Sequence, residues 1–390
     1  MTGGSWMQET LRLRAWALDA LTGRADAKVP GAATPWRIFA RSERCAIPLR
    51  ARLRAGGVYP SLPENARSTL ETVARVELQR VLSARAHLRV IDRLAARGGW
   101  EVAVLKGGAA CLDDRDALDL ADLDVLARPA DARALAAALD ASGYGDAGPS
   151  SPQHLEGRMS RGGLKVEVHT AIDMADAGRD ADVWNAVVPI EGTACLRLLA
   201  PRDHLWHLLV HVGVLHPYRR GALRDSLLIA QAVRRCGRAD LEGIDTRIAD
   251  HVHGDVLRDL LITARALMGT GPVPDRFTYQ AAVSYFVSYH GRRVPLPELL
   301  RADVGKWAVA LVSGRDDVRR EWGRIRMVTT GRSLSRPIAW IEARAPWVGR
   351  LVRVTSRVVR VGIGALLGAP LAAAAAHAAR RATRAQARNG

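Results

Sequence analysis

Lysine is nearly missing from this chain. Of its 57 basic residues only Lys28, Lys106, Lys165 and Lys306 are lysines, and the rest are arginine. With so much Ala and Gly this reads as GC-rich coding, so arginine abundance alone identifies no function. Cysteine is also scarce. Cys45, Cys111, Cys195 and Cys236 are scattered with no Cys-x-x-Cys pair, which excludes a zinc ribbon, a redox motif and a disulfide framework. Long apolar runs are missing too. The sixteen uncharged residues from Val361 to Ala376 are Ala- and Gly-rich and contain Pro370, too short and too weakly apolar for a membrane span. Trp6 to Leu21 is interrupted by Glu9, Arg12, Arg14 and Asp19, so it reads as a helix and not as an export signal. Reduced thiols and no signal segment imply the cytoplasm.

What is present is unevenly spread. Residues 318–390 carry fifteen Arg against Glu321 and Glu342, whereas the remaining chain holds 42 basic and 38 acidic residues. The net charge of +17 therefore belongs mainly to the tail. Arg350, Arg353, Arg357 and Arg360 fall within about an 80° arc of a helix, with Leu351, Val352, Val354, Val358 and Val359 on the remainder. A basic amphipathic helix of this kind fits an anionic membrane surface. Nucleic acid is the weaker alternative, because few aromatics interleave with the arginines to stack on bases. A solvated basic end is the structural alternative.

At 390 residues the chain can hold two or three domains. Ser68-Thr69-Leu70-Glu71 reads as a capping box opening a helix that stops at Gly98-Gly99. Val102 to Leu105 is a short apolar run expected to form a buried strand. Lys106-Gly107-Gly108 follows, and a helix-compatible stretch begins at Ala109. A glycine pair at a strand-to-helix turn lets a phosphate meet the free N–H groups of the helix start. Lys106 adds a compact ammonium suited to a triphosphate. Asp122 and Asp124 sit two apart in a second apolar run, so on a strand both point to one face. In the alternating segment Leu164 to Thr170, Lys165, Glu167 and His169 share a face, so Glu167 can join the aspartates from a neighbouring strand. Convergent carboxylates beside a phosphate cradle suit magnesium-dependent transfer from a nucleoside triphosphate.

Further along, Pro129-Ala130-Asp131 starts a helix to about Ser142, followed by a Gly-rich loop. His154, Arg158 and Arg161 are expected in that loop region, as solvent-facing residues or as substrate contacts from a flexible lid. Asp203 can cap a helix carrying Leu205, Leu208, Leu209 and Val212. His204, His207, His211 and His216 lie in or beside it. Without an interleaved acid their spacing favours packing or hydrogen bonding over zinc. Arg224-Asp225 opens the next helix, and Tyr279, Tyr285, Tyr289 and Trp307 read as core residues.

The glycine pair, the Asp-Leu-Asp-Val strand and the later strand acid resemble the DNA polymerase β-like nucleotidyltransferase superfamily. Leu105-Lys106-Gly107, Gly143-Tyr144 and Val166-Glu167-Val168-His169 are similar, more narrowly, to the uncharacterised bacterial nucleotidyltransferase family. The resemblance covers roughly residues 70–240. It implies an α/β (α+β) fold with a small mixed-sheet core in a mostly helical protein. Its parts would be an N-terminal helical segment (1–66), the nucleotidyltransferase core (67–195), a helical subdomain (196–315) and a basic tail (316–390). It implies transfer of a nucleoside monophosphate from an NTP to a hydroxyl- or phosphate-bearing acceptor. Asp122, Asp124 and Glu167 would hold two Mg2+ ions and carry catalysis, and Lys106, Gly107, Gly108 and His169 would bind the nucleotide. The family's usual arginine four residues before the first aspartate is Leu118 here, with Arg115 as a substitute from one turn earlier. The alternatives are a catalytically weak nucleotide-binding scaffold at a membrane and a toxin-like nucleotidyltransferase acting on protein or tRNA. The tail adds a peripheral position at the inner face of the cell membrane.

Overall fold

The computed structural model describes residues 5–24, 36–112, 117–146, 154–159, 163–172, 183–216, 221–291, 307–309, 311–312 and 368–384. Thus the expected helix over 347–361, with Arg350 to Arg360, lies outside the described residues, as do Arg115 and Arg161. Contacts divide the chain into two units. One comprises Leu13–Leu215 and Ala222–Val273, and the other Met1–Arg12, His216–Gly221 and Pro274–Gly390.

The larger unit is built on one mixed sheet. Helix α1 (Ser5–Leu21) is followed by α2 (Trp36–Glu43), α3 (Ala46–Ala55) and the long α4 (Glu64–Gly98). Then come β1 (Val102–Val104), α5 (Lys106–Ala110), β2 (Asp122–Ala127), α6 (Pro129–Ala141), β3 (Gly145–Asp146), β4 (His154–Met159) and β5 (Lys165–His169). Strands β6 (Val188–Pro189) and β7 (Leu196–Leu198) complete the sheet, in the order β3-β4-β5-β2-β1-β7-β6. Strand β2 runs parallel to β5 and antiparallel to β1, and β1 is parallel to β7. The mixed α+β architecture expected from the sequence is present.

Helix α4 ends where the glycines stop it, with Gly99 left-handed at φ +69° and its N–H on the Ala95 carbonyl. Its start differs from expectation. Pro63 precedes the first turn, which opens at Glu64, so Ser68 to Glu71 is helix interior and not a cap. Glu71 instead accepts bonds from Arg50, Arg54 and the Tyr59 hydroxyl. One face of α4 (Val81, Ala84, Leu88, Ile91) packs with Leu135 and Leu139 of α6 against Val104, Leu123, Val125, Val166 and Val168 of the sheet. That face is the core, and the opposite face of β2 and β5 is left for polar chemistry.

The segment expected as loop or lid contains a strand: His154–Met159 pairs antiparallel with β5, bulged between His154 and Glu156. The helical half follows as α7 (Pro201–Val210), which continues into a π-helical turn at His211–Leu215, then α8 (Leu223–Arg235), α9 (Arg238–Asp250) and α10 (Gly254–Leu267). Asp203 does not cap α7. Ala200 is the cap and Pro201 the first helical residue, which suits proline's fixed φ and missing N–H.

In the smaller unit, α11 is Asp275–Gly291. Tyr285 and Trp307 are buried as expected, and Tyr279 is half-buried. Residues 368–384 are helical, with Ala372, Ala375, Ala379 and Ala382 buried and Arg380, Arg381 and Arg384 exposed. Among the described residues no helix is long and apolar enough to cross a membrane.

Glu77 of α4 makes a tertiary cap. Fully buried, its carboxylate accepts the N–H groups of Ala46 and Ile47 (3.2 and 2.9 Å) at the start of α3. Burial, with the nearby Asp119 charge also raising it against the two backbone bonds and Arg80, lifts its pKa from 4.5 to about 7. A carboxyl raised on folding stabilises fully below its unfolded pKa and loses that contribution as pH rises through the folded one. Between pH 4.5 and about 7 the protein should lose on the order of 3 kcal/mol from this group. Urea unfolding across that window checks it, and Glu77→Gln should flatten the slope. An unchanged slope in the variant refutes the assignment.

Candidate active site on the β2–β5 face

The turn after β1 is under backbone constraint. Lys106 holds φ +47°, a left-handed value that a non-glycine residue adopts only when its surroundings impose it. The two glycines that follow are required by packing. A Cβ on Gly108 would fall 2.8 Å from both Leu123 Cδ1 and Val104 Cγ1. A Cβ on Gly107 would fall 2.7 Å from an Arg224 guanidinium nitrogen and 3.0 Å from Leu120 Cβ. The pair lets α5 lie directly on β2, a reason for glycine independent of any phosphate.

Side by side in parallel register, Asp124 of β2 pairs with Glu167 of β5 and Leu126 with His169. Lys106 Nζ and His169 Nε2 each lie 2.8 Å from the same atom, Asp124 Oδ1. His169 Nε2 is also 4.0 Å from Glu167 Oε2, and Lys165 ion-pairs Glu167. All four core members of this cluster are buried, with Asp124 3%, His169 4%, Glu167 8% and Lys106 9% exposed. Burial would raise the Asp124 pKa, but the Lys106 charge and the His169 hydrogen bond outweigh it and hold the carboxyl well below the usual range. Burial lowers the His169 pKa despite its bond to Asp124.

Sequence reasoning expected Asp122 and Asp124 to act as an equal pair. They share a strand face, but Asp122 is only half-buried at the start of β2. The side chains whose ligand atoms come within 4.8 Å of one another are Asp124, Glu167 and His169. His169 lies closer to Asp124 than to Glu167. These donors fit a divalent ion: 2.8 Å between Asp124 Oδ1 and His169 Nε2 is close to the spacing of neighbouring ligands on bonds of about 2.1 Å.

One support escaped the sequence. Asp119, fully buried just before β2, accepts Arg44 Nε at 2.7 Å and Arg80 Nε and Nη2 at 2.6 and 2.8 Å. Its carbonyl accepts Arg224 Nε at 2.8 Å, and Arg224 also pairs with Asp225 at 2.6 Å. Arg224 thus ties α8 to the strand entry and to the Gly107 turn. Leu118 beside it is buried and apolar. Arg44, Arg80 and Arg224 are remote in sequence from Asp119, so no local signal marks them.

Fold and site together define an α+β protein with a carboxylate–imidazole–lysine centre on one sheet face. Residues 38–269 match the sequence model of a family described as uncharacterised nucleotidyltransferase, and the chain belongs to that family. No curated protein and no solved structure matches the chain significantly.

Proposed function

We propose that the protein transfers a nucleoside monophosphate from an NTP to an acceptor hydroxyl or phosphate, releasing pyrophosphate. The observation that carries this reading is the buried Lys106–Asp124–His169 cluster facing Glu167, behind the strained Lys106-Gly107-Gly108 turn, in a chain of this family. Asp124, Glu167 and His169 would hold a divalent ion, which when bound neutralises the triphosphate and activates the acceptor oxygen. Asp122, at the edge of the group, would face the incoming triphosphate as a further ligand. Lys106, released from Asp124, would take a phosphate oxygen as a point charge, beside the backbone N–H groups of Gly107 and Gly108. Glu167 would accept the acceptor proton or ligate the ion on the acceptor side.

The test is pyrophosphate release from each of the four ribonucleoside triphosphates by purified protein and by Glu167→Gln. One NTP is expected to be turned over, and the variant to lose roughly 10^2-fold or more with its melting temperature little changed. Turnover retained in Glu167→Gln with a large fall in melting temperature makes Glu167 a structural carboxylate. A second reading is a nucleotide-binding scaffold with little turnover. It is favoured by the buried, apolar Leu118 at the position where the resemblance expects an arginine. NTP binding without pyrophosphate release is its signature.

We also infer that the basic tail binds anionic lipid reversibly, from the helical spacing of the arginines at 350–360 in the sequence and the exposed arginines at 380, 381 and 384. Each arginine near such a surface adds about 1 kcal/mol, weakened by salt. Full-length protein should co-sediment with anionic liposomes, and a chain ending near Ala345 should not. Equal sedimentation of the two refutes the reading.

A further inference from the structure

The ligand atoms around Asp124 are not the all-oxygen set that magnesium prefers. Two carboxylates and an imidazole come together, with Asp124 Oδ1 and His169 Nε2 2.8 Å apart and all three donors within 4.8 Å of one another. Mg2+ is a hard ion that keeps several waters and dehydrates reluctantly. A buried donor set that includes a nitrogen matches it poorly. Mixed imidazole and carboxylate donors suit divalent first-row transition ions.

We propose that the Asp124–Glu167–His169 cluster is a site for a divalent first-row transition ion, with His169 as its nitrogen ligand. The inference rests on the nucleotidyl-transfer reading for its purpose but not for its test. Lys106, bonded to Asp124 Oδ1, holds the carboxylate in place until a divalent ion displaces it.

The experiment uses full-length protein without nucleotide, titrated with Mn2+ and followed by electron paramagnetic resonance. Bound Mn2+ should show hyperfine coupling to 14N in the pulsed spectrum, and Mg2+ should displace it only at about 100-fold excess or more. His169→Gln should abolish the nitrogen coupling and weaken Mn2+ binding at least about tenfold. His169→Asp restores an all-oxygen set, so it should lose the coupling while Mg2+ competes within tenfold. This second variant keeps the test open if His169→Gln fails to fold. Mn2+ bound without nitrogen coupling, or displaced equally by Mg2+, overturns the inference. So does coupling that persists in both His169 variants. Pyrophosphate release, measured separately, tells the two failures apart: an active enzyme whose Mn2+ shows no nitrogen coupling sinks this inference and leaves the transfer reading standing.

Discussion

Asp124→Asn should abolish nucleotidyl transfer and lower the melting temperature, and the two losses should be separable. Asp124 Oδ1 is the atom on which Lys106 and His169 converge. Losing its charge removes electrostatic stabilisation worth several kcal/mol in the transition state, so turnover should fall roughly 10^3-fold or more. The same change leaves the Lys106 ammonium, 11% exposed at its side chain, without its charged partner. Stranding a buried cation is costly, so a loss of about 2–4 kcal/mol in stability is expected. In the double variant Lys106→Met/Asp124→Asn no charge is stranded, and most of that stability should return while turnover stays absent. Pyrophosphate release and urea denaturation on wild type and both variants decide it. Turnover within tenfold of wild type in Asp124→Asn would sink the catalytic reading. Stability still lost in the double variant would mean that Asp124 supports the fold by means other than the ion pair.

Glu43→Ala should be among the most destabilising single changes in the larger unit. Arg14 and Glu43 are each 1% exposed and paired at 3.0 Å between Arg14 Nε and Glu43 Oε1. The other carboxylate oxygen accepts the Leu223 N–H at 2.6 Å, where α8 begins. Removing the carboxylate leaves a buried guanidinium and a buried N–H without it, at about 3–5 kcal/mol. For a unit of this size that is a fall of roughly 10 °C or more in melting temperature. The paired replacement Arg14→Met/Glu43→Met puts apolar volume where the ion pair was and should recover much of the loss. Thermal unfolding by circular dichroism checks both. A shift below about 2 °C for Glu43→Ala would show that the pair contributes little.

The parts of this protein that could be read from its sequence are those set by local periodicity. Val102–Val104, Asp122–Ala127 and Lys165–His169 are strands because apolar residues run or alternate with a period of two. Alternation also put Glu167 and His169 on one side of β5. Gly99 stops α4 because a left-handed φ suits glycine, and Pro129 starts α6 because its φ is already helical. Where competing local signals had to be ranked, the sequence misled. Ser68–Glu71 has the pattern of a cap, yet the helix had already begun at Glu64. The Gly-rich stretch after Ser142 suggests a loop that runs on through His154–Met159, yet pairing with β5 makes those residues a strand. Hydrogen bonds from a neighbour override weak local preference.

By itself, the sequence determined which segments could be strand or helix and which face of each strand is polar, since both follow from residue spacing along one element. The tertiary structure alone decided which carboxylate lies at the centre. Parallel pairing of β2 with β5 sets Asp124 beside Glu167 and within reach of His169, while Asp122 stays at the strand's half-buried start. It also decided that Gly107 and Gly108 are close-packing positions, and that Asp119 gathers Arg44, Arg80 and Arg224. Each of these joins residues far apart in the chain. Their meeting depends on strand register and helix packing, which arise from burial summed over the whole unit and leave no trace in any short stretch of residues.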